Sequence, residues 1–196
     1  MSVERPSPQL HHLAMAEQGK TLALQGKHQQ ALERYRAALL LARRMSAPAV
    51  FARHYTDCIF ESLERSGQLC PALELCAAAC AEMGRVEAPT PLQARDQASM
   101  LLRRGALLIR LDRAPEAEEI LQEAMRMAEP GRLPLAEELL AWLRQALYIT
   151  RERLTEAQER HGYYTVRRDA LRPELARLAA SFAPTTGSAA GGATSY

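Results

Sequence analysis

The side chains best suited to chemistry in this sequence are four histidine and cysteine residues near its middle. His54 and Cys58 are four residues apart, and Cys76 and Cys80 share that spacing. On neighbouring antiparallel helices, two such pairs supply the nitrogen and sulfur ligands of a tetrahedral zinc site. No C-x-x-C knuckle accompanies them, and cysteine often packs as a small buried apolar residue. We therefore expect no metal and no other cofactor, and a Cys/His metal-binding protein remains the less favoured alternative.

Sequence motifs of the common enzyme classes are missing from the chain. There is no G-x-S-x-G elbow, no P-loop, no H-E-x-x-H and no glycine-rich dinucleotide loop. Glutamates such as Glu116 and Glu119 lie near a predicted helix start, where they complement the helix dipole. A structural role explains them, so we expect that the protein is not an enzyme.

Composition and charge narrow the class of protein and of partner. The chain has 196 residues, of which 47% are hydrophobic, 24% charged and only 5% aromatic. Alanine, leucine, arginine and glutamate dominate, and these residues favour helices over strands. The net charge of +2 is small and no basic stripe is evident, which argues against a nucleic-acid partner.

One local stretch departs from this pattern. Between His161 and Arg168, aromatic and basic residues lie close together, an arrangement that suits stacking on a nucleic acid. No other basic cluster extends such a surface. We therefore favour the interpretation that Tyr163 and Tyr164 pack the last helical repeat against a C-terminal helix.

The location of the protein is predicted from the absence of targeting signals. The first residues lack the apolar segment of a signal peptide, and no run of about 18 apolar residues occurs. We expect a cytoplasmic protein with reduced thiols and without a membrane partner.

Glycine and proline divide the sequence into paired helical segments. Apolar residues recur with the helical period between these breaks. The breaks lie at Gly26, Ser46–Pro48, Ser66–Gly67, Gly84–Pro91, Asp112–Pro115 and Pro130–Pro134. We expect a disordered lead over residues 1–8, a helical repeat domain over 9–183 and a disordered tail over 184–196.

Four segments that cross the short turns align without gaps. They begin at Gly19, Phe60, Gly105 and Gln145, and each is 21 residues long. Each also carries an alanine twelve residues after its start; these are Ala31, Ala72, Ala117 and Ala157. Small residues at such positions let two antiparallel helices approach closely, so Ala117→Leu is expected to destabilise the third pair.

These segments resemble the tetratricopeptide repeat over residues 11–170. The small residue of the family's first helix is matched by Gly19 and Gly105, and its turn glycine by Gly26 and Gly67. The four alanines match the alanine of the family's second helix. The spacing of 40–45 residues exceeds the family's usual period of about 34, a difference that longer helices or linkers would absorb.

The resemblance implies an all-α fold, a right-handed α-solenoid of about four helix-turn-helix hairpins. A C-terminal capping helix from Pro173 to Phe182 is expected to cover the last face of the stack. Phe60 and Gln145 replace the family's small residue in the second and fourth hairpins.

In this family the first helix of each hairpin lines a concave groove that binds a protein or peptide. The groove residues implied for this chain have mixed chemistry. They are Lys20, Leu24, His54, Asp57, Glu61, Glu64, Arg65, Arg103, Arg110 and Trp142. The implied function is a protein-protein interaction adaptor or chaperone-like module. A peptide-sensing regulatory domain is the alternative, and formation of a homo-oligomer stays open.

The charges of this groove are expected to be exposed. Asp57, Glu61 and Glu64 share one helix face and oppose Arg103 and Arg110 of the next hairpin. Exposed ion pairs contribute only about 0–1 kcal/mol each. The fold is therefore expected to survive Glu61→Lys combined with Arg103→Glu, while binding of the partner is lost.

Overall fold

The computed structural model describes residues 8–129 and 131–179, and within these ranges it contains helices and no strand. The α-helices are α1 Pro8–Leu24, α2 His28–Arg44, α3 Ala49–Arg65, α4 Leu69–Met83, α5 Pro91–Arg110, α6 Ala114–Met127, α7 Pro134–Arg144, α8 Arg151–Arg160 and α9 Pro173–Leu178. The all-α class is confirmed. The expected lead lies outside the described residues except for Pro8, which begins α1, and the expected tail from 184 to 196 lies outside them entirely.

The turns between paired helices close in a way that the sequence encodes locally. After α3, Gly67 adopts a φ of 80°, which places it in the left-handed region that glycine enters at little cost. The N–H of Gln68 then donates to the carbonyl of Leu63 at 2.9 Å, as in a Schellman motif. Asp112 takes the same place after α5, with a φ of 57°. These turns end one helix and start the next within a few residues.

Two helix pairs approach especially closely, and both contain a glycine in the first helix. A Cβ added to Gly19 of α1 would lie 2.6 Å from a ring carbon of Tyr35 in α2. A Cβ added to Gly105 of α5 would lie 2.6 Å from the Leu121 side chain of α6. The pair formed by α3 and α4, with Phe60 at the corresponding position, packs less closely. The predicted close approach is present in the first and third pairs, but each glycine faces Tyr35 or Leu121, four residues after the predicted alanine.

The fourth pair departs from the predicted repeat. Helix α7 ends at Arg144 and α8 begins at Arg151, so Gln145 lies in the connection and not within a first helix. Ala157 is nevertheless fully buried, like Ala117 in the third pair. The gapless alignment of the third and fourth segments is thus correct for the second helix and wrong for the first.

The last described helix corrects a further expectation. Helix α9 packs against α1, the first helix, and does not cover the end of the fourth pair. Phe182, the expected end of this helix, lies outside the described residues. Residues 163–172, which we call the C-terminal segment, connect α8 to α9, the helix that lies on α1, and they include a 3-10 helix at Arg168–Ala170. None of the helices in the described ranges has the length and apolar character needed to cross a membrane.

Candidate functional site

The C-terminal segment leaves α8 at a sharp turn. Gly162 has a φ of 64°, and the following N–H, that of Tyr163, donates to the carbonyl of Gln158 at 2.9 Å. Glu138 of α7 holds the end of α8 by accepting from the Arg160 guanidinium at 2.7 Å and lying 2.8 Å from Nε2 of His161. The turn directs the chain away from α8 and across α3 towards α1.

Three buried carboxylates meet the C-terminal segment, and we call them the carboxylate row. They are Glu17 of α1 and Glu61 and Glu64 of α3, with exposed fractions of 6%, 2% and 0%. A buried carboxylate is costly unless hydrogen bonds and a cation compensate for its lost hydration. Each member of the row has both kinds of partner, as the following contacts show.

Glu61 binds the main chain of the C-terminal segment. Its Oε2 accepts hydrogen bonds of 2.8 Å from the backbone N–H groups of both Thr165 and Val166. Its Oε1 accepts from Nε of Arg65, one helical turn later, at 3.1 Å. One oxygen therefore faces a cation of its own helix, and the other recognises two consecutive peptide groups regardless of their side chains.

The carboxylate of Glu64 contacts both a cation and an aromatic hydroxyl. The guanidinium of Arg103 in α5 donates to its Oε1, and the hydroxyl of Tyr163 lies 2.9 and 3.0 Å from its two oxygens. Arg110 donates to the backbone carbonyl of Glu64 at 2.9 Å. These contacts join α3, α5 and the C-terminal segment through one buried side chain.

Burial and the neighbouring charges act in opposite directions on the pKa of Glu64. Burial raises the pKa of the Glu64 carboxyl above that of an ordinary glutamate, and the Arg103 guanidinium and the Tyr163 hydroxyl oppose the rise. Burial by itself would lower the pKa of Arg103, but the surrounding groups, Tyr163 and Glu64 foremost, raise it. Arg103 is thus charged, and it supplies the positive charge that Glu64 needs in a dry site.

Glu17 repeats the arrangement at the other end of the segment. Its Oε2 accepts a hydrogen bond of 3.0 Å from the backbone N–H of Arg172. Its Oε1 accepts from Nζ of Lys20 at 2.7 Å. In both Glu17 and Glu61, one oxygen is neutralised within the helix and the other is directed at the main chain of the C-terminal segment.

An arginine guanidinium also lies over the ring of each tyrosine in the segment. The guanidinium carbon of Arg103 lies 4.6 Å from the ring centre of Tyr163, and that of Arg65 lies 3.9 Å from the ring centre of Tyr164. The Tyr164 hydroxyl donates to Gln158 of α8 at 2.7 Å. Cation–π contacts of this kind favour an aromatic residue in the bound segment. The expectation that these tyrosines pack against the capping helix is therefore corrected, since they contact α3, α5 and α8.

Val166 is the apolar anchor of the segment. Its side chain is buried and belongs to the main hydrophobic core. It lines a cavity of about 240 Å³ together with Leu24, Arg65 and other residues of α1 and α3. The site therefore accommodates an aliphatic side chain three residues after the tyrosine that meets Glu64.

Seven of the ten residues assigned to the groove by resemblance lie around the C-terminal segment. They are Lys20, Leu24, Glu61, Glu64, Arg65, Arg103 and Arg110. The other three make their described contacts elsewhere. His54 lies beside Cys58, Asp57 lines a polar cavity with Arg53 and Arg103, and Trp142 packs under Arg153 of α8.

The premise that the groove charges are exposed is wrong. Glu61, Glu64 and Arg103 are almost completely buried, because the C-terminal segment covers them. Reversing Glu61 and Arg103 together would place a cation against two peptide N–H groups and an anion beside Glu64. We now expect that double change to disrupt the fold, since uncompensated buried charges cost several kcal/mol, of the order of ~3–5.

The histidine and cysteine residues do not form one cluster. Nε2 of His54 lies 3.9 Å from Sγ of Cys58, but across residues 8–129 and 131–179 no group of three or more His, Cys, Asp or Glu is placed to hold a metal ion. Burial raises the pKa of the Cys58 thiol to about 12. Cys76 and Cys80 are also buried, as expected of residues packed as small apolar groups.

Sequence reasoning missed Glu17 and the C-terminal segment as parts of the site. Glu17 carries a local signal, because a glutamate among the buried alanines of α1 requires a partner. The unusual Tyr163-Tyr164 pair was the only signal in the segment. Comparison of the chain with protein-family models, with curated proteins and with solved structures found no match.

Proposed function

We propose that this protein is a protein-protein interaction module, an adaptor or chaperone-like protein, in which α1, α3 and α5 bind a bent, non-helical polypeptide segment. The proposal includes the tetratricopeptide-like arrangement of its hairpins into a right-handed α-solenoid. One observation carries it: the Glu61 carboxylate accepts two consecutive backbone N–H groups from a non-helical stretch of chain.

Recognition of the main chain is what a polypeptide-binding site requires. Hydrogen bonds to peptide groups supply affinity without regard to sequence, and pockets for alternate side chains supply selectivity. Here Glu17 and Glu61 bind peptide groups, whereas Glu64, Arg103 and the cavity beside Val166 contact side chains. Both components of recognition are present on one face.

The proposal is tested by site-specific photocrosslinking of the full-length protein in native extract. A photoreactive residue replaces Ser99, which is exposed on α5 and lines the cavity that also contacts Tyr163. Matched controls carry it at Glu74 of α4 or Glu119 of α6, both exposed on even-numbered helices.

We expect a discrete crosslinked partner at Ser99 and none at the two control positions. A partner captured equally at all three positions, or only at Glu74 or Glu119, would move the binding surface to the even-numbered helices. The proposed site would then be wrong. Mass spectrometry of the crosslinked peptide identifies the captured segment and the residue attached at position 99.

A further inference from the structure

We infer that the C-terminal segment, residues 163–172, is an intramolecular ligand of the carboxylate row, displaced when a partner with a segment of the same chemistry binds. The inference rests on the proposed function and adds the regulation of the site and the features of its partner. Three properties of the contacts carry it.

The hydrogen bonds that hold the segment resemble those of a bound peptide, because three of them are made by its backbone N–H groups. It is held by backbone N–H groups at Thr165, Val166 and Arg172 and by the hydroxyls of its two tyrosines. Its basic stretch is exposed, Arg167 and Arg168 included. Its apolar contacts include Val166, which lies in the main core, and Tyr163, which packs against that core.

The carboxylate row keeps its cations when the segment leaves. Lys20 neutralises Glu17 and Arg65 neutralises Glu61 from the same helices, and Arg103 neutralises Glu64 from α5. Release therefore exposes hydrogen-bonding oxygens and does not leave a buried charge unpaired. The vacated oxygens are then free to accept from water or from another chain.

The segment is tethered at both ends. It follows α8 directly, and it continues into α9, which packs on α1. A tethered ligand competes at an effective concentration in the millimolar range. Weak ligands therefore do not displace the tethered segment. A partner displaces it if the partner binds the carboxylate row more tightly than the segment does, or if it makes further contacts outside the row.

The bound segment defines the chemistry of the partner. A tyrosine is required to reach Glu64 beneath Arg103, and an aliphatic residue three positions later to reach the cavity beside Leu24. Proline is excluded at the positions equivalent to Thr165 and Val166, because their N–H groups bind Glu61. The cavity of about 240 Å³ leaves room for a residue larger than valine.

The test compares two full-length variants at one position, of which only one loses the backbone donor and has its backbone restricted by a proline ring. Thr165→Pro removes the N–H that donates to Glu61, whereas Thr165→Ala retains it and shortens the same half-buried side chain. The probe is a fluorescent synthetic peptide with the sequence of residues 161–172, HGYYTVRRDALR. Binding is measured by fluorescence anisotropy, with circular dichroism and thermal unfolding as folding controls.

We expect the Thr165→Pro protein to bind this peptide at least about tenfold more tightly than the Thr165→Ala protein does. The reason is that only the C-terminal segment of the Thr165→Pro protein, which competes with the peptide, loses a hydrogen bond to a carboxylate. Adding Glu61→Gln to Thr165→Pro should reverse the gain. A peptide with proline at the position of Thr165 should bind about tenfold more weakly than the unmodified peptide.

Equal affinity of the two variants would overturn the inference. So would loss of cooperative unfolding in Thr165→Pro alone, because the bound segment would then be required for folding and could not be displaced. A dimer that forms in Thr165→Pro and excludes the peptide would assign the site to a second copy and would overturn the assignment to a different partner. If the peptide fails to bind while crosslinking at Ser99 succeeds, the proposed function stands and only the internal ligand is refuted.

Discussion

The hydroxyl of Tyr163 lies 2.9 Å from Oε1 and 3.0 Å from Oε2 of Glu64, although 99 residues separate the two in the sequence. Glu64 is fully buried and paired with Arg103, so this hydroxyl completes a site that water does not reach freely. The contact connects the last part of the described chain to the centre of the helical domain.

Removing that hydroxyl is expected to loosen the C-terminal segment. A hydrogen bond to a charged group contributes about 1.5–3 kcal/mol, so Tyr163→Phe should accelerate amide hydrogen exchange at Thr165 and Val166 roughly ten- to a hundredfold. Exchange within α5 should not change. Tyr148→Phe is the matched control, because Tyr148 is 80% exposed. Equal exchange in both variants would show that the hydroxyl does not hold the segment.

The buried pair of Arg103 and Glu64 should matter far more than an exposed pair. Arg103→Met leaves Glu64 without its cation, and removing one partner of a buried pair costs about 3–5 kcal/mol. Arg85→Met breaks the pair with Glu82, in which Arg85 is 73% exposed, and should cost at most ~1 kcal/mol. Chemical denaturation measures both. Similar losses would indicate that Glu64 remains hydrated.

The close approach of α5 and α6 is expected to reject a larger residue at Gly105. Since a Cβ there would already lie 2.6 Å from Leu121, Gly105→Leu should lower the free energy of unfolding by about 1–3 kcal/mol or more. Leu121→Ala should relieve part of this loss in the double variant. A thermodynamic cycle measures the coupling, and simple additivity of the two effects would mean that the side chains do not collide.

The four thiols are expected to differ in their reactivity and in their pKa values. Cys70 is exposed while the other three are buried, so one equivalent should react rapidly with a disulfide reagent at neutral pH, and Cys70→Ser should abolish this phase. Burial raises the pKa of Cys58 from 9.0 to about 12.

The sign of the resulting pH dependence follows from linkage. Because the folded pKa of Cys58 is the higher one, its contribution to stability is complete below pH 9 and is lost as the pH rises towards 12. The midpoint of denaturant unfolding should therefore fall over this interval, and less so in Cys58→Ala relative to its own neutral value. An identical fall in that variant would assign the effect to other groups.

Much of the fold could be predicted because its determinants act over a few residues. Gly67 and Asp112 end helices through turns that close within one hydrogen-bonded loop. Gly19 and Gly105 mark the helices that approach their partners closely. The prediction is wrong for the first helix of the fourth pair. The alignment places Gln145 within that helix, whereas Gln145 lies beyond the end of α7.

The sequence by itself therefore determined the helices, their turns and their close pairs, since helical period, capping and glycine placement are local. The family resemblance also brought Glu64 together with Arg103 and Arg110, and the structure places these residues in contact. Only the tertiary structure decided that the C-terminal segment covers this face and that α9 rests on α1. No local pattern specifies such a contact, because the position of Tyr163 relative to Glu64 depends on the accumulated geometry of every helix packed between them.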